Sequence, residues 1–270
     1  VKLSFTKMHG CGNNYIYFNC FDQTVPDPAS LSVRLSEPHF GIGGDGIILI
    51  SPSDKADAQM RIFNADGSEG KMCGNGIRCV GKYLYDNGMT DGRTTVTIDT
   101  LSGVKTLELT VEDGKMLSAC VDMGAAILKP ADIPVDLEGD TVIGAPLVID
   151  EKVYHITCVS MGNPHCVIFL DEDIDGLDLE RIGPKFEHHA LFPERVNTEF
   201  VNVLPDGTLK MRVWERGSGE TWACGTGACA VGVAAVLTGR AGKDEDITVH
   251  LRGGDLTVRY TDQTVFMTGA

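Results

Sequence analysis

Two of the nine cysteines, Cys73 and Cys224, stand in matching surroundings: Met-Cys-Gly-Asn-Gly at 72–76 and Ala-Cys-Gly-Thr-Gly at 223–227. Each precedes a stretch that reads as a helix, 75–87 and 226–238, with Gly88 and Gly239 just beyond as stop signals. The first N–H groups of a helix have no intrahelical partner, and its dipole places partial positive charge there. A thiolate at such a point is favoured and its pKa falls. The same N–H groups can hold a carboxylate, and Gly74, Gly76, Gly225 and Gly227 let a ligand approach the backbone. Two such thiols on opposite faces of an amino acid's α-carbon could take a proton from one side and deliver one to the other. That is racemase or epimerase chemistry. It needs one thiolate and one thiol, so the pair should titrate together with a bell-shaped pH dependence.

The competing readings start from ordinary cysteine behaviour, since buried thiols in a reducing compartment are mostly packing. Cys11, Cys20, Cys79, Cys120, Cys158, Cys166 and Cys229 are read that way. Metal binding is a second reading, but the spacings Cys73-x5-Cys79 and Cys224-x4-Cys229 lack paired C-x2-C, and Cys79 and Cys229 would lie inside helices. No metal site is expected. A dithiol redox enzyme is a third reading, and the chain has no C-x-x-C to support it.

The elements that position the two cysteines come in two copies. Shifting the chain by 151 aligns 60–83 with 211–234 without a gap, and 8 of 24 positions are identical, among them Arg61/Arg212, Glu69/Glu220 and Gly81/Gly232. A shift of 150 pairs Gly12-Asn13 with Gly162-Asn163, each leading into an apolar run (15–18 and 166–170). The seam falls near residue 120, and the Pro-containing stretch 124–146 reads as an irregular connection. Short β-rich runs dominate each half (96–99, 106–111, 142–149, 247–251), and further short helices are expected at 29–35 and 177–187. The segment TGACAVGVAAVLT is small and apolar on all sides, as a helix buried on every face would be. The expected fold is α+β: two pseudo-symmetric domains, each a curved, mostly antiparallel sheet wrapped around a central helix, with equivalent residues facing each other across a cleft.

Composition narrows the function classes. With 23 basic and 38 acidic residues the net charge is −15, which disfavours nucleic acid as a partner. No apolar stretch approaches the roughly 20 residues that span a bilayer, and the opening VKLSFTKMHG lacks the pattern of a secretory signal. The chain reads as a cytoplasmic globular protein acting on a small molecule. Its 43% hydrophobic and 23% charged content is ordinary globular usage, while 32 glycines point to many turns and close approaches.

Longer strings carry a resemblance. MHGCGNNY (8–15), FNADGSE (63–69), MCGNGIRC (72–79), SMGNPHCV (160–167), FPERVNTEFV (192–201), WERGSGETWACGTGACA (214–230) and the closing FMTG resemble the diaminopimelate epimerase family, in order and spacing, over nearly the whole chain. The resemblance implies a cofactor-free enzyme that interconverts LL- and meso-2,6-diaminopimelate, on the route to lysine and peptidoglycan, and a homodimer. It implies domains at 1–119 and 120–262, with a last strand, 263–270, returning to the first. It makes Cys73 and Cys224 the acid and base, and Gly74, Asn75, Gly225 and Thr226 the carboxylate site. Asn13, Asn64, Asn163, Asn197, Glu215 and Arg216 match the family's substrate-binding positions, and His165 and Glu215 match positions thought to adjust the cysteine pKa values. Some members carry Gln where this chain has Gly46, so Gly46 has only a minor place in the expected site. The rival within the same architecture is a proline or hydroxyproline racemase.

Overall fold

The structure, a computed structural model, describes residues 2–270. The chain divides into two compact units: the chain up to Asp122 together with Thr268–Ala270, and Met123–Met267. The first unit runs β1 (Thr6–Gly10), β2 (Asn13–Asn19), α1 (Pro28–Ser36), β3 (Gly46–Ser51), β4 (Ala58–Asn64), β5 (Glu69–Gly70), α2 (Gly74–Asp86), β6 (Thr95–Thr100), β7 (Gly103–Glu112) and β8 (Lys115–Asp122). The second runs β9 (Val142–Ile149), β10 (Lys152–Ser160), β11 (Pro164–Phe169), α3 (Leu179–Glu187), β12 (Asn197–Val203), β13 (Leu209–Glu215), β14 (Gly219–Thr221), α4 (Gly225–Leu237), β15 (Asp246–Leu251) and β16 (Gly254–Tyr260). The last strand, β17 (Val265–Gly269), starts in the second unit, and its final residues belong to the first. The strand between Val142 and Ile149 takes up the end of the expected connection, so only 124–141 is irregular.

The duplication is visible in the pairing within each unit. In the first, β2 lies parallel to β3, β3 antiparallel to β4, β4 parallel to β6, and β6 antiparallel to β7. In the second, β11 to β12, β12 to β13, β13 to β15 and β15 to β16 repeat that order and sense. Registers match too: Ile16 faces Ile47 and Ile47 faces Phe63, while Cys166 faces Thr198 and Thr198 faces Trp214. Tyr15 is therefore the counterpart of His165, Gly46 of Asn197, Ile48 of Glu199, Asn64 of Glu215 and Asn75 of Thr226.

Each sheet is covered on both faces, which explains unbroken apolar runs such as Ile47-Ile48-Leu49-Ile50, all buried. In the first unit α1 lies on β3 and β4, and α2 touches β1, β2, β7 and β8. In the second, α3 lies on β12, β13 and β14, and α4 touches β10, β11, β12, β15 and β16. Helix α4 is buried on nearly every side, and its small residues allow strands to close around it: a Cβ on Gly232 would come 2.6 Å from Val258. Strand alternation then sorts side chains by face. Cys166, Ile168, Phe200 and Trp214 join the core beneath α3, where Phe186 meets Tyr154 and Phe200 edge-on at 5.1 and 5.6 Å. The alternate positions, including His165 and Glu199, point the other way, toward α4.

Candidate active site

Cys73 and Cys224 are the N-cap residues of α2 and α4, with extended backbone just before each helix begins. Each sulfur accepts the N–H of the third residue on, Gly76 or Gly227, at 3.3 Å. The sulfur takes the place that a Ser or Asp oxygen usually fills, so each helix start offers hydrogen bonding to a thiolate. A Cβ on Gly227 would come 3.1 Å from the Cys224 sulfur, and one on Gly76 would come 3.5 Å from that of Cys73. Glycine at these positions keeps the space around the sulfur open.

The surroundings of the two thiols differ. Around Cys73, the sulfur donates to Asn13 Oδ1 at 3.3 Å, and the Tyr15 hydroxyl donates to the sulfur. Asn75 Nδ2 also reaches Asn13 Oδ1 at 3.4 Å, and Asn13 Nδ2 donates to Asp45 at 2.7 Å, so the amide is held from both ends. Arg78, fully buried one turn along α2, donates to Gly74 O at 3.0 Å and lends its positive charge to the same corner. Asn64 closes β4 opposite Gly46, its amide donating to Ser68 at 3.0 Å. Gly46 has no room for a side chain: with φ of 152°, a Cβ would lie 2.1 Å from the Phe63 carbonyl oxygen.

Around Cys224 stand two carboxylates and a histidine together with neutral donors. Thr226 Oγ1 lies 3.6 Å from the sulfur and accepts from Asn163 Nδ2 at 3.2 Å. His165, fully buried, places Nε2 at 3.0 Å from Asn163 Oδ1 and 3.1 Å from Thr226 Oγ1. Its Nδ1 lies 2.6 Å from Glu199 Oε1. Glu215 acts on Cys224 through its charge and accepts the Thr221 hydroxyl. Asn197 is buried with its amide occupied by backbone: Nδ2 donates to Pro164 O at 2.9 Å, and Oδ1 accepts the Arg216 N–H at 2.8 Å. It therefore sets the turn that carries Glu215 and Arg216, and the Arg216 guanidinium donates to Glu194 O at 2.9 Å.

Sequence reasoning expects both thiol pKa values to fall, and here the structure differs. Burial pushes the Cys73 thiol up, and the donors from Gly76, Tyr15 and Asn75 with the Arg78 charge only partly offset it. Cys224 is held well above its ordinary value by burial first, then by the carboxylates of Glu215 and Glu199, against Thr226 and Gly227. Loss of water outweighs the helix start at both positions.

Within the first unit the fold brings Asn13, Gly74 and Asn75 to Cys73, and places Asn64 beside Gly46. Within the second it brings Asn163, His165, Glu215, Gly225 and Thr226 to Cys224, with Asn197 and Arg216 in the adjoining turn. Three residues escaped the sequence reading: Asp45, which holds Asn13, Tyr15 and Glu199. Tyr15 and Glu199 lie inside strings already singled out and Asp45 directly precedes Gly46, and Glu199 carries its own signal, an acid beside the apolar pair Phe200-Val201 at an inward strand position. Among the described residues no group of three or more His, Cys, Asp and Glu side chains comes together as a metal site. No helix among them is long and apolar enough to cross a membrane.

Comparison with known proteins sets these half-sites in a family. The family model for diaminopimelate epimerase matches residues 5–129 and 157–270. The chain belongs to the diaminopimelate epimerase family. It is 54% identical to the diaminopimelate epimerase of Agathobacter rectalis, covering 99% of this chain and 95% of that one. The diaminopimelate epimerase of Methanococcus maripaludis is 53% identical over 99% of this chain and 96% of its own. Among solved structures, a hydroxyproline epimerase from Agrobacterium vitis with bound trans-4-hydroxy-L-proline shares the fold, with a TM-score of 0.69 and 17% identity over 98% of this chain and 88% of that chain. A phenazine biosynthesis protein of the PhzF family from Bacillus anthracis gives 0.70 at 15% identity, covering 99% and 94%. Those two likenesses concern the fold alone. As a diaminopimelate epimerase family member the chain is an isomerase of the α+β class.

Proposed function

We propose that the chain converts LL-2,6-diaminopimelate to meso-2,6-diaminopimelate by direct proton exchange between Cys73 and Cys224, without metal or pyridoxal phosphate. The observation that carries the reading is the pair of cysteines capping duplicated helices, each with its sulfur on a helix-start N–H at 3.3 Å. In this mechanism one sulfur, as thiolate, removes the α-proton. The electron pair left on carbon is delocalised into the carboxylate, which the N–H groups of Gly74, Asn75, Gly225 and Thr226 receive. The other sulfur, as thiol, delivers its proton to the opposite face. Charge on the two sulfurs is exchanged, and the reverse direction uses them in swapped roles.

An α-proton is far less acidic than a thiol of pKa about 8.5, so much of the barrier must be removed by positioning and desolvation. Buried thiols fit that demand, because a thiolate stripped of water is a stronger base. Cys224 is pushed up further than Cys73, so in this proposal Cys73 is the sulfur that ionises first and acts as base toward the LL substrate, while Cys224 keeps its proton. Asn13 beside Cys73 and Glu215 beside Cys224 serve the reacting centre, and Asn64, Asn163 and Arg216 supply donors and charge for the second, non-reacting amino acid centre. The reaction belongs to the building of lysine and peptidoglycan precursors.

The rival is a proline or hydroxyproline racemase. Relatives above 50% identity named diaminopimelate epimerase, against 17% for the hydroxyproline epimerase, favour the first reading. Offering the purified protein LL-diaminopimelate, L-proline and trans-4-hydroxy-L-proline in parallel separates them. Turnover of the first alone is expected, and turnover of a proline substrate without diaminopimelate would reverse the assignment.

A further inference from the structure

The second unit buries a carboxylate that the proposed reaction does not use. Glu199 is fully buried on β12, and its Oε2 has no hydrogen-bond partner. Leaving a carboxylate oxygen so placed is costly, and stability alone gives no reason for it. Its other oxygen, Oε1, meets His165 Nδ1 at 2.6 Å and lies where a Cβ on Gly227 would approach it to 2.7 Å, directly under the start of α4. The corresponding position in the first unit is Ile48, whose Cδ1 stands 2.7 Å from the place of a Cβ on Gly76. The duplication has thus put an acid under one cysteine and a methyl group under the other.

The hydrogens of this corner can be assigned from its partners. Asn163 donates through Nδ2 to Thr226, so its Oδ1 faces His165 Nε2 as an acceptor at 3.0 Å. Nε2 must then carry hydrogen, and Nδ1, facing the Glu199 carboxylate, carries one as well. With both ring nitrogens donating, Thr226 keeps its own hydroxyl hydrogen for the Cys224 sulfur at 3.6 Å. Were Nε2 bare, it would take that hydrogen and the sulfur would lose a donor. The counterpart positions at Cys73 hold Tyr15, Ile48 and Asn75, which form no such chain of ionisable groups.

We infer that Glu199 is a positioning residue for the proposed reaction: its carboxylate holds His165 with both ring nitrogens donating, so that Thr226 supports the Cys224 thiolate, and this makes the two cysteines chemically unequal. The inference rests on Cys224 being one of the two acid–base groups. The charged groups acting on Cys224 are Glu215 from β13 and Glu199 from β12, and the titratable His165 from β11 reaches it through Thr226. Glu199 therefore has two opposed influences. As a bare negative charge it disfavours the thiolate, and through His165 and Thr226 it supplies the thiolate with a donor.

Glu199→Gln decides between them by sign. The measurement is the pH dependence of iodoacetamide labelling at Cys224 and at Cys73, read separately by peptide mass spectrometry, beside the pH profile of kcat/KM. If the carboxylate works through His165, the Cys224 labelling midpoint moves up by about one pH unit, the falling limb of kcat/KM, which reports the acid, follows it, and the Cys73 midpoint stays in place. A downward shift, as for the loss of a mere negative charge, or no shift at all overturns the inference. His165→Asn should give the same upward shift, and the double variant no more than either alone; additive shifts also overturn it. These two provide the test where Glu199→Gln melts below assay temperature. Labelling needs no turnover, so the outcome is independent of the reaction itself: a fully active Cys224→Ala would instead remove the proposed mechanism.

Discussion

At the scale of residues, each of the two sulfurs combines a helix-start donor with burial, and burial prevails. The thiolate fraction at both should therefore be small near neutrality and increase with pH, sooner at Cys73 than at Cys224. Iodoacetamide should label Cys73 at lower pH than Cys224, and the reverse order would contradict Cys73 as the sulfur that ionises first. Replacing either cysteine by Ala removes an acid–base group that the chemistry cannot do without. A loss of at least about a hundredfold in kcat is expected from each, and wild-type turnover in either variant would exclude that residue. Both cysteines were legible in sequence because the duplication marks them. Their raised pKa values were not, since burial and the carboxylates of Glu199 and Glu215 come from strands distant in sequence.

At the scale of elements, the helix starts depend on what supports them. Helix α3 meets β13 through Gly183, where a Cβ would come 2.3 Å from the Trp214 ring. Glu187, at the end of α3, accepts Trp214 Nε1, Gly217 N and Arg195 Nη1, each at 2.8 Å, and so anchors the turn bearing Glu215 and Arg216. Burial pushes the Glu187 carboxyl up, but donors from Trp214 and Gly217 and the charges of His188 and Arg195 outweigh it, and its net value lies below the ordinary one. A lowered folded-state pKa contributes stability above the unfolded value, about 4.3, and that stability is lost as pH falls through the folded one. Glu187→Gln should lower stability by about 1–3 kcal/mol at neutral pH and flatten its fall in acid. Urea melts of both proteins from pH 7 to pH 3 check this, and parallel pH curves would count against it. Gly183→Ala should destabilise by roughly 1–3 kcal/mol through overpacking. Helices α2 and α4 were readable to within a residue from Cys-Gly-x-Gly and the closing Gly. The packing of Gly183 under Trp214 was not, because no local pattern announces which ring a glycine will meet.

At the scale of the whole molecule, one topology occurs twice and differs in what fills it. Strand order, sense and register repeat, while Tyr15, Ile48 and Asn75 in one unit become His165, Glu199 and Thr226 in the other. Self-comparison exposes the repeat where identity survives, at 60–83 and 211–234. It is silent at β3 and β12, where only pairing register shows that Ile48 and Glu199 are equivalent. For the two sulfurs to exchange roles, each must meet one face of the same α-carbon. Mild oxidation of the substrate-free enzyme should then join Cys73 to Cys224 with loss of activity and recovery on reduction; an oxidised sample with both thiols free and full activity would contradict it. The central claim is proton exchange with solvent through two sulfurs, and the direct measurement is turnover of LL-diaminopimelate in deuterated water. At early times the meso product should carry deuterium at the inverted α-carbon while the remaining LL substrate retains hydrogen. Meso product formed by active enzyme without α-deuterium would contradict the account.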